Sequence, residues 1–328
     1  MSTYNVISQN TESTVVTEYV PIAKKSEAYQ SEAALEDAFI KLLENQGYER
    51  LHIHTEEELI KNLRKQIEKL NRYTFTDTEW QNFFNTFLAN ANEGIEEKTR
   101  TIQEDSLKPA KLDDGTTKNI KLIDKENIHN NFLQVLNQYE IEGSQKNRYD
   151  VTVLVNGLPL VHIELKRRGV AIREAFNQIE RYQRDSFWSG HGLYEYVQIF
   201  IISNGTHTKY YSNTTRFNHV EGKKSKVKSR TSNSFEFTSY WADSNNRIIP
   251  DLMDFTMTFM TKHTLLNVIT KYCVFTVDKN LLVMRPYQIV ATERIINRIA
   301  VSTQYKQLST LRAGGYIWHT TGSGKTLT

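Results

Sequence analysis

Two acidic residues and one lysine stand on two adjacent apolar segments in the middle of the chain. Asp150 lies in NRYDVTVLVNG, and Glu164 and Lys166 follow after thirteen intervening residues in PLVHIELKRRG. Two carboxylates beside a lysine form an oxygen-rich pocket that suits Mg²⁺ and a water nucleophile. We therefore take Asp150, Glu164 and Lys166 as candidate catalytic residues, with the two acids as metal ligands.

The strands that carry these residues decide whether the side chains can meet. Successive side chains of a strand point to opposite faces, so Glu164 and Lys166 share one face of their strand. Asn156 and Gly157 predict a hairpin turn, but a strict two-residue turn places Asp150 and Glu164 on opposite faces. A three-residue loop or a β-bulge restores the parity. We predict one of these two irregularities.

A helix is predicted after the lysine strand, near Arg173 to Phe187. In EAFNQIERYQ, Gln178 and Tyr182 are four residues apart and are therefore neighbours on one helix face. The order D…ExK followed by QxxxY resembles the RecB-like branch of the PD-(D/E)xK nucleases. The departure is Tyr149, because that family has proline before the first acid.

The resemblance implies a role for each of these residues. Asp150 and Glu164 would hold Mg²⁺ against the scissile phosphate, with the main-chain carbonyl of Leu165 as a further ligand. Lys166 would orient or activate the water. Gln178 and Tyr182 would line the active site and help to position the DNA and the lysine.

Two further side chains come into question for this site. Nucleases of this class often add an acid from an early helix, and the helix after Ser31 offers Glu32 and Glu36. Glu32 lies closer to the apolar stripe of that helix, so we select it as the additional metal ligand. His162 lies on the same strand face as Glu164, but a single histidine is more often a hydrogen-bonded structural residue, and it receives no role.

The last residues, YIWHTTGSGKTLT, carry the core of a phosphate-binding loop. Its glycines let backbone N–H groups close on phosphates, its lysine reaches the β and γ oxygens, and the following threonine ligates Mg²⁺. Upstream, RPYQ resembles the adenine-reading Q-motif of superfamily 2 motors, although it is also an ordinary helix start with proline at the first position. The candidate nucleotide-binding residues are Arg285, Gln288, Thr321, Gly322, Ser323, Gly324, Lys325 and Thr326.

The composition limits the class of protein. A chain of 328 residues with 39% hydrophobic and 24% charged residues can bury a packed core. Its single cysteine excludes an intramolecular disulfide, and no apolar run is long enough for a membrane helix. We expect a cytoplasmic protein with no membrane partner. The net charge of +3 does not itself indicate nucleic acid, but five basic residues within 223–230 form a candidate phosphate-contacting loop.

The predicted fold class is α/β with two domains. Residues 1–257 would form a PD-(D/E)xK-type, RecB-like endonuclease domain, with a mixed sheet flanked by helices and a helical N-terminal region. Residues 258–328 would begin a RecA-like superfamily 2 motor domain, truncated after its phosphate-binding loop. We expect no ATP turnover by this chain alone, since a Walker B acid and a second lobe would have to follow.

The nuclease motifs followed by the Q-motif and TGSGKT resemble the restriction and motor subunit of type I restriction–modification enzymes. The resemblance implies a Mg²⁺-dependent double-stranded DNA endonuclease on an ATP-driven translocase, assembled with methylation and specificity subunits. Two alternatives share parts of the pattern: a recombination-type helicase–nuclease, and a DNA-binding motor whose nuclease fold is inactive.

Overall fold

The structure is a computed structural model, and its description covers most of the chain. The described residues are 5–6, 17–18, 31–142, 146–182, 192–214, 235 and 238–318. The phosphate-binding loop from Thr321 to Thr326 and the basic loop 223–230 lie outside these residues, so the predictions made for them are not addressed by the structure.

Amphipathic segments with polar caps form the helices. Thr55 caps the second helix and Thr76 caps the third. Each threonine hydroxyl accepts the N–H of the glutamate three residues later, and the carboxylate of that glutamate accepts the N–H of the threonine. The helices of the described residues are α1 Glu32–Asn45, α2 Glu56–Asn71, α3 Asp77–Phe83, α4 Ile95–Gln103, α5 Ile172–Tyr182, α6 Leu252–Thr258, α7 Lys262–Thr270 and α8 Pro286–Gln304. None of them has the length and hydrophobicity required to span a bilayer.

The strands form one six-stranded mixed sheet and three two-stranded hairpins. They are β1 Asn5–Val6, β2 Thr17–Glu18, β3 Glu49–Leu51, β4 Leu107–Lys111, β5 Thr117–Lys121, β6 Leu133–Glu142, β7 Lys146–Val155, β8 Leu158–Leu165, β9 Ile199–Ser203, β10 Thr208–Ser212, β11 Cys273–Phe275 and β12 Leu281–Val283. The large sheet has the order β10-β9-β8-β7-β6-β3. Its β3–β6 and β8–β9 pairs are parallel, and the other pairs are antiparallel.

The predicted mixed sheet with flanking helices is confirmed, and several elements differ from expectation. The continuous apolar run at β9 is an interior strand between β8 and β10. The segment after Pro250 forms two helices, because Thr261 caps the second of them by accepting the N–H of Thr264. The hairpin of β4 and β5 and the short strand β3 were not predicted.

One hydrophobic core extends from the sheet into the region beyond residue 258. Tyr48 donates a hydrogen bond of 2.6 Å to the carbonyl of Met260, and Gln103 donates one of 3.1 Å to the carbonyl of Ile269. Phe259 and Met260 are fully buried in the same core as the sheet. The core therefore crosses residue 258 without a break, and the division of the chain at 257/258 stays a prediction.

Candidate active site

The hairpin of β7 and β8 contains the irregularity that the acids require. Val155 pairs with Leu158 across a two-residue turn, but Val153 pairs with Val161, so Leu160 is an extra residue on β8. Of the two irregularities predicted, the structure contains the bulge, and the loop has two residues. Because the bulge shifts the register by one residue, Asp150 and Glu164 fall on the same face of the sheet.

The turn itself is fixed by Asn156 and Gly157. Both have positive φ values, 52° and 84°, which is the conformation of a type I′ hairpin turn. The Asn156 side chain accepts the N–H of Phe132 and donates to the carbonyl of Leu122. These two hydrogen bonds attach the turn to the segments around Leu122 and Phe132.

The two acids and the lysine meet at the C-terminal end of β8. Oδ2 of Asp150 accepts the N–H of Leu165 at 2.8 Å, which ties this carboxylate to the residue that follows Glu164 on β8. Nζ of Lys166 lies 3.2 Å from Oε1 of Glu164 and 2.9 Å from the carbonyl oxygen of Leu165. The structure thus brings together the three residues that the sequence selected.

Burial raises the pKa of both carboxyl groups, and the charge of Glu164 adds to this effect at Asp150. Burial, followed by the charge of Glu164, raises the pKa of Asp150 to about 7. Burial raises the pKa of Glu164 to about 8, although the neighbouring Lys166 ammonium acts in the opposite direction. Two buried carboxyl groups with raised pKa values in one cluster mark a candidate functional site.

The donor set of this cluster fits a hard divalent cation. Among the described residues, no group of three or more His, Cys, Asp or Glu side chains is spaced to hold a metal, so Asp150 and Glu164 meet here as a pair. Oε2 of Glu164 is buried and accepts no hydrogen bond in the described part of the chain. With the Leu165 carbonyl beside them, the acids supply the few oxygen ligands that Mg²⁺ takes from proteins.

Helix α1 brings two glutamates to the cluster. Oε1 of Glu32 lies 3.5 Å from Nζ of Lys166, so this residue faces the site, and its assignment as a metal ligand stays a prediction. Glu36, one turn later, is buried and accepts hydrogen bonds from Asn137 and Gln138. Burial raises the pKa of Glu36, and the charge of Asp150 raises it further. Glu36 was the candidate not selected from the sequence, although its four-residue spacing from Glu32 places both glutamates on one face of α1.

His162 has more contacts than its sequence context indicated. Its ring is fully buried, with Nε2 at 3.6 Å from Oε2 of Glu164 and Nδ1 at 3.4 Å from Oγ1 of Thr152. Burial lowers the pKa of His162 to about 3, so the imidazole is neutral.

Helix α5 contains both members of the QxxxY pair. Its apolar face, with Ala175 and Ile179, is buried against the neighbouring strands β8 and β9. Gln178 lies at the edge of that face and is partly buried. The side chain of Tyr182 is outside the description, so its position relative to Lys166 stays a prediction.

The Q-motif candidates lie at the start of α8. Pro286 occupies the first helical position, and Oε1 of Gln288 accepts the N–H of Arg285 at 2.8 Å. The glutamine therefore caps its own helix, which confirms the helix-start reading of RPYQ. Adenine recognition by Arg285 and Gln288 stays a prediction.

Comparison with known proteins gives two matches in the order expected from the motifs. The family described as "Type I restriction enzyme R protein N terminus" matches residues 29–219, which contain all the nuclease candidates. The family described as "SWI2/SNF2 ATPase" matches residues 287–328. The R protein match therefore precedes a shorter match to the SWI2/SNF2 ATPase family.

Individual relatives agree with these matches. The chain is 48% identical to the type I restriction enzyme EcoprrI endonuclease subunit of Escherichia coli over 295 residues, which are 90% of each protein. It is 39% identical to the type I restriction enzyme SauMSSORF170P endonuclease subunit of Staphylococcus aureus (strain MSSA476) over 307 residues, 92% of this chain and 30% of that subunit. The chain belongs to the type I restriction enzyme R protein family.

Proposed function

We propose that this chain carries the Mg²⁺-dependent double-stranded DNA endonuclease of an ATP-dependent, DNA-translocating type I restriction enzyme. The observation that carries the proposal is the buried pair of Asp150 and Glu164 with Lys166 against it, on one face of a sheet. Family membership favours this function over a recombination-type helicase–nuclease. The raised pKa values of the acids favour a working metal site over an inactive nuclease fold.

Three groups of this chain would hold the cation: the carboxylates of Asp150 and Glu164 and the carbonyl oxygen of Leu165. When bound, Mg²⁺ supplies positive charge to the scissile phosphate and lowers the pKa of a water. The chain fixes the geometry in advance, because the N–H of Leu165 holds Asp150 and the strand holds the carbonyl beside it. Glu32 would join the set from the first turn of α1.

Lys166 acts as a hydrogen-bond donor in this proposal. Burial disfavours its charged form, but the charges of Glu164, Asp150 and Glu32 outweigh that effect and raise its pKa. A lysine that stays protonated has no lone pair with which to take a proton from water. It therefore orients the attacking water and balances the negative charge that develops on the phosphate.

The remaining candidate residues would bind the DNA and the ATP. Gln178 and Tyr182 would position the DNA from the rim of the site. The segment from Thr321 to Thr326, with Arg285 and Gln288, would bind ATP in the full-length protein. Methylation and specificity subunits of the same complex would supply sequence recognition, since the proposed nuclease site contains groups for phosphodiester chemistry and not for reading bases.

Two substitutions in the full-length assembly test the proposal. Cleavage and ATP hydrolysis are measured with Mg²⁺ and ATP, and the exposed Lys65 replaced by alanine is the matched control. Lys166→Ala should lose cleavage and keep ATP hydrolysis. Lys325→Ala should lose ATP hydrolysis, translocation and, because the motor must move DNA first, cleavage. Cleavage by Lys166→Ala at the rate of the control would refute the nuclease site, and wild-type cleavage by Lys325→Ala would refute the coupling.

A further inference from the structure

A chain of buried polar side chains lies behind Glu164 and has no part in the reaction described above. The hydroxyl of Tyr194 lies 3.3 Å from Oγ1 of Thr152, and that oxygen lies 3.4 Å from Nδ1 of His162. Nε2 of His162 lies 3.6 Å from Oε2 of Glu164. All four residues are 3% exposed or less. Polar groups buried this deeply need hydrogen-bond partners, so the sequence of contacts from Tyr194 to Glu164 limits which atom of each pair carries the hydrogen.

When Glu164 is ionised, as cation binding requires, the hydrogens in this chain have one favourable direction. Tyr194 donates to Thr152, and the single hydroxyl hydrogen of Thr152 is then directed at Nδ1 of His162. A neutral imidazole that accepts at Nδ1 carries its hydrogen on Nε2, which is the nitrogen that faces Glu164. The opposite direction would place an imidazole lone pair against a carboxylate oxygen. That arrangement is repulsive in a site of low dielectric constant.

We propose that His162 is a positioning residue, whose Nε2–H orients the carboxylate of Glu164 for the cation. The inference rests on the function proposed above and assigns a role to a residue outside its donor set. Oε2 of Glu164 accepts no hydrogen bond in the described part of the chain. The Nε2–H of His162 therefore faces an oxygen that can still accept a hydrogen bond. At 3.6 Å the contact is an electrostatic one, longer than a full hydrogen bond.

The orientation has a direct consequence for the other oxygen of the same carboxylate. Oε1 of Glu164 is the atom that Lys166 contacts at 3.2 Å, so His162 and Lys166 act on different oxygens of one group. The carboxylate is thereby held in one rotamer between two donors. Partners that orient a ligating carboxylate typically contribute about 10- to 100-fold to metal affinity.

The test is calorimetric titration of the chain with Mn²⁺, at a pH near 8.5 where both acids ionise. His162→Leu removes the donor with little change of size, and His162→Gln restores an N–H at the same reach. The proposal predicts about tenfold weaker Mn²⁺ binding for the leucine variant and near wild-type binding for the glutamine variant. Equal affinity in all three proteins, or equal weakening in both variants, would overturn it.

A control variant separates this inference from the proposed function. Asp150→Asn should abolish the same binding event. If wild type and Asp150→Asn bind Mn²⁺ alike, the metal site itself is refuted, and the role of His162 with it. If Asp150→Asn loses binding but His162→Leu keeps it, only the role of His162 is refuted.

Two measurements remain decisive if His162→Leu does not fold. Nitrogen-15 NMR of the wild-type chain, at the same pH near 8.5 and with saturating Mg²⁺ so that Glu164 is ionised, should show the His162 tautomer with hydrogen on Nε2, and the Nδ1-protonated tautomer would overturn the proposal. Thr152→Val removes the hydroxyl that selects this tautomer while keeping the shape of the side chain. It should populate the other tautomer and weaken Mn²⁺ binding, and unchanged spectra and affinity would contradict the relay.

Discussion

Replacing Asp150 by asparagine should stabilise the metal-free chain at alkaline pH. The asparagine carbonyl can still accept the N–H of Leu165, which lies 2.8 Å from the native carboxylate, while the buried charge beside Glu164 disappears. The pKa of Asp150 is raised from 3.8 to about 7 in the folded protein. A shift of about three units corresponds to about 4 kcal/mol at most, since each unit is worth about 1.4 kcal/mol.

The sign of the pH dependence follows from the direction of that shift. The folded state holds its proton more tightly than the unfolded state, so the stability contributed by Asp150 is fully present below pH 3.8. It is lost as the pH rises through about 7. The difference in free energy of unfolding between Asp150→Asn and wild type should therefore be small near pH 4, grow through the neutral range and level off near pH 8.

Urea unfolding followed by circular dichroism in EDTA, at four pH values from 4 to 8.5, measures this difference. Asp278→Asn, at an exposed position, is the matched control and should not alter the pH dependence. Saturating Mg²⁺ should reverse the ranking, because it stabilises only a chain that binds it. A difference between Asp150→Asn and wild type that does not change with pH would refute the account of a perturbed, buried acid.

Two further predictions concern residues that stabilise the fold. Gly157→Ala should lower the free energy of unfolding by at least about 2 kcal/mol, because its Cβ would lie 2.6 Å from Cα of Leu63 at a positive φ. Gly115→Ala has nearly the same φ and open space around its Cβ, so urea unfolding of both variants separates the clash from the backbone strain. Glu195→Gln should cost about 3–5 kcal/mol in the same assay, because it removes the counter-charge of the fully buried Lys98; a loss below 1 kcal/mol would show that the ion pair is not needed.

Local patterns were sufficient to predict the central features of the site. Alternation of apolar residues gave the two strands, Asn156-Gly157 gave the turn, and the parity of Asp150 and Glu164 required an irregularity that the structure contains. These features depend on residues close together in the sequence. They could therefore be argued without knowing how the rest of the chain packs.

The parts that were not predicted depend on contacts between distant residues. The bulge lies at Leu160, and the parity of the two acids does not specify this position. Strand β3 has only three residues and pairs in parallel with β6, far along the chain. The contact of Thr152 with Tyr194 joins residues 42 apart, so nothing in the segment around His162 indicated the buried polar chain.

Cleavage of DNA by the full-length assembly with Glu164 replaced by glutamine is the most direct test of the central claim. The glutamine keeps the size of the side chain and its place against Lys166, but removes one of the two charges proposed to hold the cation. With Mg²⁺ and ATP, the variant should hydrolyse ATP at the wild-type rate and cleave DNA at least about a thousandfold more slowly. Cleavage within tenfold of wild type would contradict the claim that Asp150 and Glu164 form the metal site of this enzyme.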